Sequence, residues 1–274
     1  MKIILLLVAM AIQPVSAQRG AMPEPMVRLR ENMSGARPAR VVRSAGRMST
    51  TVDTSSPAYL LLDAAYAALR DEDLDLAVEN FEKAIPLQPE RTDIRKDLAY
   101  TYLRIGENEL GRRQFEKVVE LDAKDYRSQL ELAFLDYESA DRANKVAAWR
   151  IFRGLRDIAD ADLAAVAQQA FAVVDAALGS RIAQWRDAIT KDPSNLYAHL
   201  QLANALEERN EFVEAERYYR LSLGAGFAIT LYELGRTLLA AGKLTDARMF
   251  LMEAAKTKDP YVVEAARERL LVLP

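Results

Sequence analysis

Phe81-Glu82-Lys83 recurs as Phe115-Glu116-Lys117, 34 residues later. The interval extends beyond that tripeptide: it also separates Tyr66, Tyr100 and Phe134, and Leu76 from Leu110. A chain that repeats aromatic and aliphatic residues at a fixed interval of this size builds one supersecondary unit several times over. Each unit buries its apolar stripe on the next. Breaks at Asp71-Glu72-Asp73, Gln88-Pro89-Glu90, Gly106-Glu107-Asn108 and Asp122-Ala123-Lys124 cut the repeat into segments with a helical apolar period. The unit is therefore a pair of short helices joined by a tight turn.

Composition agrees with an all-α chain. Alanine, leucine, glutamate and arginine fill the long segments, and all four are strong helix formers. Eleven glycines and ten prolines in 274 residues are too few for an all-β chain with many tight turns. There is no cysteine, which excludes disulfides, zinc–thiolate sites, iron–sulfur clusters and a cysteine nucleophile. One histidine, His199, excludes a multi-histidine metal centre. No metal and no cofactor are expected.

The repeat resembles the tetratricopeptide repeat family, which places large residues and Leu-Gly or Leu-Ala on a first helix. A small residue, an aromatic, an alanine and a proline follow on and after the second helix. Unit 58–91 carries Leu61, Ala64-Ala65, Ala77, Phe81, Ala84 and Pro89; unit 92–125 carries Leu98-Ala99, Tyr102, Gly111, Phe115 and Val118. Residues 126–195 are degenerate. They open with Leu132-Ala133 and then lose the pattern, with Trp149 and Phe152 as candidate core of a second helix over 144–155. Residues 160–178 read as one alanine-rich helix and 180–189 as a separate second-helix segment. Units 196–227 and 228–260 are regular again, and 261–273 reads as a capping helix. The resemblance implies an all-α, right-handed α–α superhelix, a tetratricopeptide-like solenoid over 57–274.

The N-terminus has a different character. Lys2, the apolar run Ile3 to Ile12 and the small residues of Val15-Ser16-Ala17 read as a signal peptide over 1–17, cleaved after Ala17. An uncleaved anchor or a buried helix is the competing reading. No later segment reads as transmembrane. Residues 18–56 form a basic leader expected to be disordered, because proline, glycine, serine and threonine interrupt any period. Its seven arginines against Glu24, Glu31 and Asp53 leave about +4, opposed to about −8 on the body after it. Such an arm serves as a solvated tether, binds an anionic surface, or folds over the acidic solenoid of its own or another copy.

No residue pattern points to catalysis. His199 falls at the fourth position of its unit, where the family packs a large residue inward. Gly224-Ala225-Gly226 reads as a turn and not as a phosphate loop. Glu207-Glu208 and Asp71-Glu72-Asp73 read as solvated charge. Asn32-Met33-Ser34 fits a glycosylation sequon that is frequent by chance.

In the resembled family the first helices line a concave groove that holds peptides. The matching positions here are Tyr59, Leu62, Tyr66 and Arg70; Lys96, Tyr100 and Arg104; Arg127, Phe134 and Tyr137; Tyr197; and Tyr232 and Arg236. Tyrosine and arginine make strong binding anchors; the competing reading is that packing buries many of these. The clamp that some family members use for a C-terminal carboxylate is absent, since its positions hold Leu62, Tyr66, Asp97, Arg127 and Glu131. The expectation is a non-enzymatic scaffold or adaptor, periplasmic or secreted, with a protein or peptide ligand and no nucleic acid. An accessory subunit of an envelope polysaccharide or protein export complex, associated with the outer membrane, is the alternative.

Overall fold

The computed structural model describes residues 22–34 and 56–273. The signal segment over 1–17 and the remainder of the leader lie outside the described residues. Every regular element among the described residues is helical.

Antiparallel pairs follow one another along the chain. α2 (Pro57–Arg70) pairs with α3 (Leu74–Ala84), α4 (Thr92–Arg104) with α5 (Asn108–Leu121), and α6 (Tyr126–Glu138) with α7 (Arg142–Gly154). α8 (Ala161–Lys191) stands alone. Then α9 (Leu196–Glu208) pairs with α10 (Phe212–Ser222), α11 (Ala228–Ala240) pairs with α12 (Leu244–Ala254), and α13 (Pro260–Leu271) closes the series.

The starts and stops follow from local chemistry. Ser56, Asp73, Asp125, Asp141, Asp160, Asn195 and Asp259 each accept a backbone N–H at the start of the following helix. Within the pairs, the turn places one left-handed residue at the same point of four units: Glu72, Gly106, Asn210 and Gly242. The next residue's N–H then bonds the carbonyl five positions back, as Asp73 does to Ala68, Glu107 to Tyr102, Glu211 to Leu206 and Lys243 to Leu238. The α6–α7 turn lacks this device, and Ser139 is extended there.

The core repeats too. Phe81 and Phe115 are fully buried, and Trp149, a further 34 residues on, occupies the same point of the third pair. Thus the pair α6–α7 keeps the packing position although its small residue is gone: Lys145 stands where Ala77 and Gly111 stand in the first two units. Tyr219 and Leu251 fill the position in the last two pairs. Gly111 serves close approach, since a Cβ there would lie 2.9 Å from Leu103 Cδ2 and 3.1 Å from the Ala99 carbonyl oxygen.

The middle departs from expectation in two ways. The segments 160–178 and 180–189 are one continuous helix, α8, which passes straight through Gly179. Ala164, Ala167, Ala170, Val174, Leu178 and Ile182 form a single buried stripe along it, so no turn is required to hide the apolar residues. By length and composition α8 is also long and apolar enough to cross a membrane, contrary to the expectation that no later segment would be. In this structure one stripe of it is buried and it packs on α7 and α9.

The second departure is α1 (Glu24–Ser34), a helix inside the stretch expected to lack structure. Met22, Met26, Leu29 and Met33 recur at helical spacing, a single stripe too short to register as a period among prolines and arginines. Met22, Met26 and Met33 are buried in one cluster with Leu130, Ala133, Phe134 and Trp149.

Candidate binding groove

Successive first helices lie side by side and are bonded across their shared face. The Tyr66 hydroxyl on α2 donates to Asp97 Oδ2 on α4 at 2.5 Å. One unit later the Tyr100 hydroxyl on α4 donates to Glu131 Oε1 on α6 at 3.1 Å. Each ring stands edge-on to the aromatic of its own unit, Tyr66 to Phe81 at 5.4 Å and Tyr100 to Phe115 at 5.1 Å. Burial pushes both hydroxyls well above the usual tyrosine range, and the neighbouring carboxylates add to it. They act as neutral donors. Burial also raises Asp97, against the lowering effect of the Tyr66 hydrogen bond. Lys96 Nζ reaches Asp125 Oδ2 at 2.8 Å, a second tie from α4 to the start of α6.

The rung ends at the third unit because Phe134 has no hydroxyl. Phe134 is fully buried, edge-on to Phe152 at 5.2 Å. Arg30 of α1 takes over the acidic side: its Nη1 donates to Glu138 Oε2 at 3.1 Å and its Nε lies 3.5 Å from Glu131 Oε2. Arg127 Nη1 donates to the Met33 carbonyl oxygen at 2.8 Å.

The C-terminal half of the same face holds a buried charge cluster. Arg236 Nη2 bonds Glu207 Oε2 and Glu233 Oε2, both at 2.7 Å. Arg142, from the start of α7, lies 2.5 Å from Glu233 Oε1 and 3.5 Å from Glu208 Oε1, and Arg181 lies 2.6 Å from Glu208 Oε2. The Tyr219 hydroxyl sits 2.7 Å from Glu207 Oε2 and 2.8 Å from Asn204 Oδ1. Three carboxylates meet three guanidiniums, the arrangement that buried ions require. Burial raises Glu207; Glu233 is equally buried, but Arg142 and Arg236 outweigh the burial and hold it down.

Several residues assigned to an open groove are therefore elsewhere. Leu62 is packed in the first core cluster and Phe134 lies in the cluster that α1 joins. Arg236 is 6% exposed and paired with two carboxylates. Tyr66, Tyr100, Tyr137 and Tyr232 are half-buried, and Lys96 is paired. Lateral contact between first helices consumes these side chains. Tyr59 and Tyr197 are exposed, as are Arg70 and Arg104 to varying degrees at the ends of α2 and α4, and Arg127 has its guanidinium on Met33. His199 is buried, stacked on Tyr218 at 5.9 Å.

The sequence reading met Asp97 and Glu131 only as positions unfit for a carboxylate clamp, not as partners of Tyr66 and Tyr100, and it gave no role to Glu233, Arg30 or Arg142. The 34-residue register flags the first two carboxylates, which stand at the same point of their units. Nothing in the sequence brings Arg142 to Glu233, because that contact depends on α8 failing to fold back as a pair.

A family model described as tetratricopeptide repeat matches residues 62–126 and 182–226. No curated protein matches the chain. Among solved structures, it is similar to a thermophilic tetratricopeptide repeat protein of Thermus thermophilus, at 18% identity and TM-score 0.33, covering 78% of this chain and 100% of that one. It is similar to a tetratricopeptide repeat protein of Parabacteroides merdae ATCC 43184 at 13% identity and TM-score 0.40, covering 78% and 86%. A third is YrrB, described as a tetratricopeptide protein with an unusual peptide-binding site, at 19% identity and TM-score 0.32, covering 70% and 100%. Paired helices in 34-residue register thus coincide with a match to the tetratricopeptide repeat family model over residues 62–126 and 182–226.

Proposed function

We propose that this protein is a non-catalytic scaffold of the cell envelope that holds a peptide or protein segment on the face formed by its first helices. The observation that carries the reading is the accessibility of Tyr59, Arg70 and Arg104 on two helices already braced by Tyr66, Lys96 and Tyr100. A braced wall loses little entropy on binding, and accessible tyrosine and arginine on it supply area and directed charge. Export rests on Lys2, the apolar run Ile3 to Ile12 and the small residues before Gln18.

The test places a photo-crosslinking residue at Tyr59, at Arg104 and, on another helix, at Tyr261, in the native host. A discrete adduct from the first two positions and none from the third supports the groove. It should be lost when Arg70→Glu and Arg104→Glu are combined. Adducts of equal yield from all three positions overturn it. Cell fractionation and the mass of the mature chain, expected to start at Gln18, decide export separately.

A further inference from the structure

One segment of this chain is seated on a first helix, α6. α1 precedes α2 in sequence, yet it docks on α6, through contacts between residues 94 and 108 apart. It also packs along α8. Its seat falls in the stretch between the two blocks that match the family model, where the repeats are least regular. The contact is made by four apolar residues at i, i+4, i+7 and i+11, namely Met22, Met26, Leu29 and Met33, with Arg30 placed to meet Glu131 and Glu138. Methionine adapts to irregular surfaces, which suits a contact that must form and break. The seat is also incomplete. A cleft of about 530 Å³ runs between α1 and α8 beside Leu29, Ala172 and Val173. Val27 is 36% exposed. A helix of 11 residues is marginal in isolation, so α1 gains its order from this dock.

We infer that α1 is a built-in occupant of the α6–α8 face, and that the partner is an amphipathic helix of the same pattern. That partner presents methionine or leucine at i, i+4, i+7 and i+11 and an arginine at i+8, and it displaces α1. The inference rests on the groove reading above and names its ligand. Residues 35–55 join α1 to α2, so the internal segment competes at an effective concentration that a free helix must exceed. Displacement removes the Arg30 contact to Glu131 and Glu138, and an incoming arginine restores it. The intact chain is thereby held closed toward weak ligands and open to a helix that matches the register.

The experiment uses the full chain and a fluorescent synthetic peptide of residues 22–34, read by anisotropy. Met26→Asp with Arg30→Glu ejects the internal helix without altering α6 or α8. The peptide is expected to bind this variant at least about tenfold more tightly than the intact chain, since in the intact chain it competes with an intramolecular segment. Adding Glu138→Arg should remove most of that gain, and a peptide carrying Arg30→Glu should restore it. Equal affinity for the intact chain and the variant, or no binding to either, overturns the inference and marks α1 as a permanent wall. So does insensitivity to Glu138→Arg. Amide exchange across 26–33 in the intact chain gives a second reading: exchange faster than in α6 supports displacement, and exchange at the rate of global unfolding overturns it. Failure here leaves the crosslinks at Tyr59 and Arg104 as the independent test of the groove.

Discussion

The hydroxyl of Tyr66 on α2 donates to the carboxylate of Asp97 on α4 at 2.5 Å, and the bond recurs one repeat later between Tyr100 and Glu131. Such bonds fasten unit to unit at a point where packing alone would allow sliding. Tyr66→Phe keeps the edge-on ring contact with Phe81 and strands a half-buried Asp97. We expect a loss of about 1–3 kcal/mol by urea denaturation. Asp97, already raised by burial, should rise further on losing its donor. Tyr100→Phe should behave likewise through Glu131. The double change Tyr66→Ala with Tyr100→Ala should lower both partner capture and stability, so the phenylalanine variants separate the two effects.

Asp136 gives the chain a pH dependence of definite sign. Burial pushes its carboxyl up to about 7 in spite of Arg112 at 3.3 Å. Between its ordinary value of 3.8 and about 7 the folded chain holds a proton that the unfolded chain has released. Stability from this group is therefore full below the lower value and is lost as pH rises to the upper one. Asp136→Asn removes that slope. At pH 8 the variant should be more stable than the parent by about 2 kcal/mol, given that each tenfold change in proton affinity is worth roughly 1.4 kcal/mol and that a neutral amide pairs less well with Arg112. Thermal unfolding at pH 4 to 8 reads the difference.

Arg236 joins Glu207 to Glu233 in a site closed to water. Arg236→Met leaves two carboxylates with Arg142 as their nearest remaining cation. A loss of about 3–5 kcal/mol is expected, the range for removing one partner of a buried ionic group. Glu207→Gln should cost less, because burial already raises that carboxyl and the amide can still accept from Tyr219. Denaturant midpoints of the two variants check the order.

Gly179 lies in mid-helix on α8, and a Cβ there would meet nothing within 4 Å. Gly179→Ala should raise stability by about 0.5–1 kcal/mol, since alanine loses less backbone entropy in a helix. A decrease in melting temperature would mean that α8 bends at this point in solution.

The sequence by itself determined the pairing of helices, the repeat length and the core aromatics. Each of these is enforced locally: by the apolar period, by turn residues such as Gly106 and Gly242, and by the interval between Phe81 and Phe115. A repeat contacts only its neighbours, so its packing can be read from a window not much longer than itself. The tertiary structure alone decided which inner-face side chains stay open. Tyr66 is engaged by a carboxylate from the next unit, and Phe134 shares its cluster with methionines about a hundred residues earlier. Arg142 meets Glu233 because α8 runs straight where a hairpin was expected. These pairings join segments with no local relationship, and their stability comes from burial and charge balance that exist only once distant helices are in place.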